Sequence, residues 1–296
     1  MSKKHINIFN ELSKIYEKLG DDIRAGAYHN LAKKLELKDL SEITEKSKRK
    51  INEISRTGKL TILENMKKDK NIEAKLKLLE IIGVGPSLVD KMVKKGIKTP
   101  EEFIKKYDNP TQLQRMGMKY YGKLSRPNPN TFKKLVECIC DNEIKKFALA
   151  GSYRTGNPSP GDIDLIVISF TKNKVDTKNW VLNTLDNKCK KVKLDYMVES
   201  GDSGFMGVLK INSKYYKIDV KIIEKKYYAS FLLYFGSGKY FSKYIRGIAK
   251  DKGYKLNQYG IENLKTSKLK TFNSEKAIFN FLGEEYLTPR ERVKYY

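Results

Sequence analysis

The sequence predicts an α+β chain, helical over roughly its first 126 residues and built on a mixed β-sheet beyond them. Three observations carry this. Apolar residues recur at helical spacing through the first part of the chain, the stretch "LSRPNPNTF" (Leu124 to Phe132) interrupts that pattern, and short β-branched runs follow it. With 296 residues there is room for about two domains or several small subdomains with real cores.

Residues 1–66 read as a small helical unit, with Ile8, Leu12, Ile15 and Leu19 on one helical face and Gly58 placed as a helix C-cap in "KINEISRTGKL". Residues 67–126 read as a helix-hairpin-helix unit around "IIGVGPSLVDKM". Gly83 and Gly85 let backbone N–H groups approach a phosphate, and a helix starting near Pro86 and Ser87 favours an anion at its N-terminus. A plain tight turn between helices also contains glycine, so the motif alone leaves both readings open. Pro127 and Pro129 delay the next helix until about Thr131 and suggest a boundary near residue 126.

Residues 127–226 read as β-rich: "FALAG", "DIDLIVIS", "KLDYMV", "FMGVLKI" and "YYKIDVKII", the last two joined as a hairpin at Asn212 and Ser213. Residues 227–296 return to helix and short strands, giving a small α/β region. Asp162 and Asp164 are expected on one face of a strand, with Cα atoms about 6–7 Å apart. The following "LIVIS" is apolar on both faces, as in a buried strand with its acids at one end. In "YYKIDVKII", Asp219 falls opposite Ile218, Val220 and Ile222 and between Lys217 and Lys221. Three acids on adjacent strands could hold two Mg²⁺ ions, with Mn²⁺ as the alternative, and that arrangement suits phosphoryl transfer. A lone DxD is as readily a solvated turn or a helix cap. Gly151 and Ser152 upstream, opening a short helical turn that contains Arg154, add a place for a triphosphate oxygen and make the combination more specific than its parts.

Sixty Lys and Arg against 35 Asp and Glu give a formal net charge of +25, spread over the whole length. A polyanionic partner and a merely lysine-rich surface are both consistent with that balance. Three cysteines, Cys138, Cys140 and Cys189, with no CxxC and no secretory signal in "MSKKHINIF", lead us to expect a reducing intracellular compartment, with nucleus, cytoplasm and a viral replication site left open. His5 and His29 do not combine with such scattered cysteines into a zinc site, and no apolar run approaches the roughly 20 residues of a membrane helix.

Taken together, "IIGVGPSLVDKMVKKGIKTPEEF", "QRMGMKYYG", "GSYRTGNPSPGDIDLI", "KIDVKII", "LLYFGSGKYFSKYIRGIAKDKGYKLNQYGI" and "PRER" resemble the nucleotidyltransferase superfamily and, within it, the family X DNA polymerases of the polymerase beta type. The resemblance implies a helical lyase-like domain (1–66), a helix-hairpin-helix DNA-binding subdomain (67–126), a nucleotidyltransferase palm (127–226) and a nucleotide-selecting subdomain (227–296). It further implies metal ligation by Asp162, Asp164 and Asp219, the last also activating the primer 3′-hydroxyl. Gly151, Ser152, Arg154, Gly161 and Arg126 are implied at the triphosphate. Tyr234, Phe235, Gly236 and Ser242 are implied at the nucleotide, and Arg246 and Lys243 at the template side. Gly83, Gly85, Ser87, Lys46 and Lys217 are implied on DNA, and Lys50 as a Schiff-base lysine.

The chain departs from the family in carrying Thr155 where an Arg is usual, "YFGSG" in place of YFTGS, and Ser242 in place of an Asn. The glycine-bearing hairpin expected before Lys50 is replaced by "LSEITEKS". The function expected is filling of short DNA gaps from dNTPs, with removal of a 5′-deoxyribose phosphate in base excision repair. The partners expected are gapped or nicked DNA, dNTPs and a DNA ligase, with the chain acting as a monomer. The alternative is a template-independent nucleotidyltransferase of the terminal-transferase kind.

Overall fold

A computed structural model describes residues 3–39, 41–141, 147–189 and 191–295. The chain forms two compact units, Met1–Tyr121 and Gly122–Tyr296.

The first unit is all helical: α1 (Lys3–Lys18), α2 (Asp22–Glu36), α3 (Glu45–Thr57), α4 (Thr61–Lys68), α5 (Lys70–Leu78), α6 (Pro86–Lys94), α7 (Pro100–Lys106) and α8 (Gln112–Tyr120). Phe9, Leu12, Leu35, Ile54 and Leu63 meet in one core, and Leu78, Ile81, Val89 and Phe103 in a second. Local chemistry sets the helix ends. Gly58 takes a left-handed φ of 69° and closes α3, while Thr99 with Glu102 and Thr111 with Gln114 form capping boxes on α7 and α8. A Cβ on Gly117 would stand 2.2 Å from the Ile82 carbonyl oxygen, so only glycine lets α8 lie against the Gly83 hairpin.

The second unit opens with α9 (Pro129–Asp141), β1 (Phe147–Leu149), α10 (Gly151–Arg154), β2 (Ile163–Ile168) and α11 (Lys174–Asn183). Helix α9 begins at Pro129, earlier than expected, because proline is tolerated in a first helical turn, where its missing N–H has no partner to lose. Next come β3 (Val192–Glu199), β4 (Gly204–Ile211), β5 (Lys214–Ile223), α12 (Tyr228–Phe235) and α13 (Lys239–Asp251). The chain ends with β6 (Tyr254–Asn257), β7 (Gly260–Asn263), β8 (Leu269–Lys270) and α14 (Glu275–Phe281).

Five strands form one sheet in the order β1-β2-β5-β4-β3, and β6-β7-β8 form another. In the larger sheet β2 and β5 are parallel and the other pairs antiparallel, so the sheet is mixed. Asn212, at φ 56°, turns the β4–β5 hairpin where the sequence placed it. Ile163, Leu165, Val167, Ile218, Val220 and Ile222 are buried in the core under the sheet, with Phe132 and Leu135 of α9. Residues 122–126 side with this unit, since Ser125 N donates to the Tyr215 carbonyl at 2.8 Å.

The cysteines require a correction. Instead of three scattered thiols, the fold brings Cys138 of α9 to Cys189, with Cα atoms 5.5 Å apart, and joins them in a disulfide; Cys140 is free and exposed. Among the described residues no helix is long and apolar enough to cross a membrane.

Candidate active site

The parallel register of β2 and β5 makes Asp164 and Asp219 direct neighbours across the two strands. Their apolar flanks face the core, so both carboxylates emerge on the opposite side of the sheet. Asp162, expected on β2 as well, lies in the bend before it. Pro160 and Gly161 precede it, and the ladder with β5 begins only at Ile163, opposite Ile218.

Two lysines face these acids. Lys217 Nζ donates to Asp162 Oδ2 at 2.8 Å, and Lys221 Nζ stands 3.0 Å from Asp219 Oδ1, at an angle that makes an ion contact and leaves that oxygen without a hydrogen bond. Lys217, expected on DNA, is therefore engaged by an acid of the site. Burial, then the charges of Asp162 and Asp219, push the Asp164 carboxyl up to about 7, against the smaller pull of Lys217 and Lys221.

The turn after β1 closes over the acids. Gly151 sits at φ 57°, and a Cβ there would lie 1.8 Å from Asp164 Oδ2. Gly151→Ala should displace the Asp164 carboxylate and strain the turn by about 1–2 kcal/mol. A lowered melting temperature is the expected result.

The Ser152 carbonyl accepts from Thr155 Oγ1 and from Asn157 N, both at 3.0 Å; Asn157 Oδ1 accepts from Ser159 N at 3.0 Å. The Ser159 carbonyl in turn receives Arg126 Nε and Nη2 at 3.0 and 2.7 Å, so Arg126 braces the loop leading to Gly161 and Asp162. Gly161 is exposed, with open space where a side chain would be.

Arg154 is a second correction. Its guanidinium does not face the open site: Nη2 and Nη1 bind Glu275 at 2.5 and 3.1 Å, and Nη1 reaches the Leu232 and Gly236 carbonyls at 3.3 and 3.4 Å. Glu275 also accepts from Arg292 Nη1 at 2.8 Å, and that nitrogen bonds Ser237 Oγ at 2.8 Å. Arg292 is fully buried among Phe241, Phe279 and Tyr286. Burial raises the Glu275 carboxyl, but the two arginines outweigh it and hold it below its ordinary value. This network ties α10 to the end of α12, where Tyr234, Phe235 and Gly236 lie. Gly236 is needed there, because a Cβ would stand 2.7 Å from Arg154 Cδ.

Tyr234 is exposed with the Arg246 guanidinium 5.7 Å from its ring, and Phe235 stacks on Phe231. Arg246 Nε also donates to the Ser242 carbonyl at 2.8 Å, while Lys243 is exposed beside Tyr240. The Ser242 hydroxyl departs from expectation. It points inward without a hydrogen bond, beside a void of about 10 Å³ that Ser230 also lines, and does not present itself to a nucleotide.

In the first unit, Gly83 has φ 81° and its carbonyl accepts from Gln114 Nε2 at 3.1 Å. Gly85 caps α6 with open space at its Cα, and Ser87 is exposed. Lys50 lies 5.9 Å from the Tyr28 ring and lines a cavity of about 480 Å³ with Glu53, Thr61, Asn65 and Asp69. Lys46, one turn earlier on α3, is exposed and does not line it.

The family model described as DNA polymerase beta palm matches residues 128–225, and that described as DNA polymerase beta thumb matches residues 231–293. The chain belongs to the family X DNA polymerases. It is 26% identical over 333 residues to DNA polymerase lambda of Arabidopsis thaliana, a match covering 99% of this chain and 62% of the relative. It is 24% identical over 326 residues to the DNA polymerase/3′-5′ exonuclease PolX of Bacillus subtilis, covering 99% of this chain and 55% of the relative. The type-X family protein pol4 of Schizosaccharomyces pombe is 26% identical over 266 residues, with 81% and 52% covered. The chain thus spans between about half and three fifths of the length of these relatives.

Family X polymerases depend on divalent metal ions, and the donor chemistry here suits one. Asp164 is a desolvated carboxylate whose charge is costly, and Asp219 Oδ1 is buried without a hydrogen bond; a cation would relieve both. Among the described residues the acids are not gathered into a ready coordination sphere. Lys217 and Lys221 each pair with one oxygen of two of them, Asp162 Oδ2 and Asp219 Oδ1. The sequence reading missed Glu275 and Arg292, whose role appears only once the fold joins them to Arg154, and Gly117, whose "QRMGMKYYG" context was the available signal.

Proposed function

We propose that this chain is a template-directed DNA polymerase that fills short gaps, joining a deoxynucleotide to a primer 3′-hydroxyl. The observation that carries the reading is the pairing of Asp164 with Asp219 across parallel strands, closed over by the Gly151-Ser152 turn. In the reaction the primer 3′ oxygen bonds to the α-phosphorus, the bond to the bridging oxygen of the β-phosphate breaks, and pyrophosphate leaves. Asp219, through the unbonded Oδ1, receives the hydroxyl proton, and Ser152 with the turn amides orients the triphosphate. Asp162, Asp164 and Asp219 would hold two Mg²⁺ ions, Mn²⁺ being the alternative, and these supply charge stabilisation and an acidified hydroxyl. The +25 net charge supports a polyanionic partner.

The test is a one-nucleotide-gapped duplex with Mg²⁺. Insertion into the gap exceeding extension of a single-stranded primer supports the reading, and equal extension of both favours the template-independent alternative.

The four-part division at residues 66, 126 and 226, the DNA ligase partner and the monomeric state belong to the same proposal. So does the intracellular setting, against which the Cys138–Cys189 disulfide weighs.

Removal of a 5′-deoxyribose phosphate by Lys50 is a second proposed activity, supported by its place on the wall of the 480 Å³ cavity. Its amine would add to C1′ of the open sugar aldehyde with loss of water, β-elimination would break the C3′–O bond and leave a 5′-phosphate on the downstream strand, and hydrolysis of the imine would free the lysine and the unsaturated sugar phosphate. Borohydride trapping on an incised abasic duplex should give an adduct that Lys50→Ala loses; an undiminished adduct would assign the chemistry to another amine.

A further inference from the structure

A bound triphosphate brings several negative charges to the Gly151-Ser152 turn, and the turn itself has no free cation to meet them. Arg154 is committed to Glu275, Arg126 donates to the Ser159 carbonyl, and Thr155 is buried, uncharged and bonded to the Ser152 carbonyl. A guanidinium with no such bond comes from Arg290, beyond α14. Arg290 lays its side chain along Gly156, with Cγ, Nε and Cδ at 3.5, 3.6 and 3.8 Å from where a Cβ would stand.

Gly156, at φ 95°, is the residue that follows Thr155, and the next amide, of Asn157, bonds back to the Ser152 carbonyl. The Arg290 stem therefore rests on the same closed turn that presents Ser152. Arg290 is exposed, and no side-chain hydrogen bond or ion pair engages it among the described residues. Its position is nonetheless held. Two residues on, Arg292 donates to the Leu287 carbonyl at 3.0 Å and to Glu275 at 2.8 Å, and Glu275 also grips Arg154 of the turn.

We infer that Arg290 is a substrate-binding residue that meets the β- and γ-phosphates of the incoming nucleotide and the pyrophosphate that leaves. The inference rests on the polymerase reading above and adds a residue to it. A guanidinium offers two parallel N–H donors to phosphate oxygens, so its removal should cost affinity for the triphosphate more than rate.

The experiment compares the full chain with Arg290→Met, Arg290→Lys and, as a control for overall charge, Lys276→Ala, an exposed lysine of α14. Methionine keeps an apolar stem on Gly156 and removes the charge. The readouts are KM and kcat for dCTP on a gapped duplex with a templating dG, the Kd of inorganic pyrophosphate by calorimetry, and the melting temperature. Expected for Arg290→Met is a rise of about tenfold or more in both KM and pyrophosphate Kd, with kcat changed far less and melting unaltered. Arg290→Lys should recover part of the loss, and Lys276→Ala should match the unaltered chain. Arg290→Met with unaltered KM and pyrophosphate Kd overturns the inference and leaves the polymerase reading standing. Absence of insertion by the folded, unaltered chain overturns both.

Discussion

Asp219→Ala is expected to reduce nucleotide insertion by about 10³-fold or more, equivalent to about 4 kcal/mol of transition-state stabilisation. In the proposed mechanism Asp219 ligates a cation together with Asp164 and takes the primer proton at Oδ1, and alanine does neither. The substitution removes a carboxylate already facing Lys221, so the fold should survive it. Single-turnover insertion on a gapped duplex, run beside a thermal melt, separates lost chemistry from lost structure. A folded Asp219→Ala protein with near-normal turnover would remove this residue from the mechanism.

Glu275→Gln is expected to have the largest effect on stability. Glu275 and Arg292 have side chains 7% and 0% exposed, so glutamine leaves two arginines without their counter-charge in a dry interior. Breaking such a network by removing one partner costs about 3–5 kcal/mol. For a unit of this size that corresponds to a fall in melting temperature of roughly 10 °C.

The pH dependence follows from the sign of the shift. The folded carboxyl lies below its ordinary value of 4.5, so its stabilisation is complete above that pH and is lost as pH falls through the lower, folded value. The unaltered chain should lose stability on acidification more steeply than Glu275→Gln, and parallel pH profiles would contradict the assignment.

How much of this was legible in the sequence depended on how local each cause was. The Gly58 cap, the Asn212 hairpin and the apolar face of "YYKIDVKII" are decided by a few neighbouring residues, and the fold carries all three. That Asp164 and Asp219 are paired neighbours is a matter of register between strands far apart in sequence. Alternation fixed which face each acid takes but not its partner. Carrying the alternation one residue before Ile163 puts Asp162 on the strand, whereas the β2–β5 ladder begins at Ile163.

Arg154 read as a phosphate ligand because it sits on a glycine turn before acids. Its actual partner, Glu275, is 121 residues away, and no local pattern announces it. The same holds for the Cys138–Cys189 pair, 51 residues apart. Ser242 lies next to Phe241 on α13, whose buried face also carries Ile245 and Ala249, so helical phase was the signal that its hydroxyl could turn inward.

The most direct test of the account is templated insertion itself: each of the four dNTPs offered opposite each of the four template bases in a one-nucleotide gap, with Mg²⁺ and the unaltered chain. Preferential insertion of the matched nucleotide at every template base is the predicted result. Equal insertion of all four opposite every base, or none from a folded protein, would contradict it.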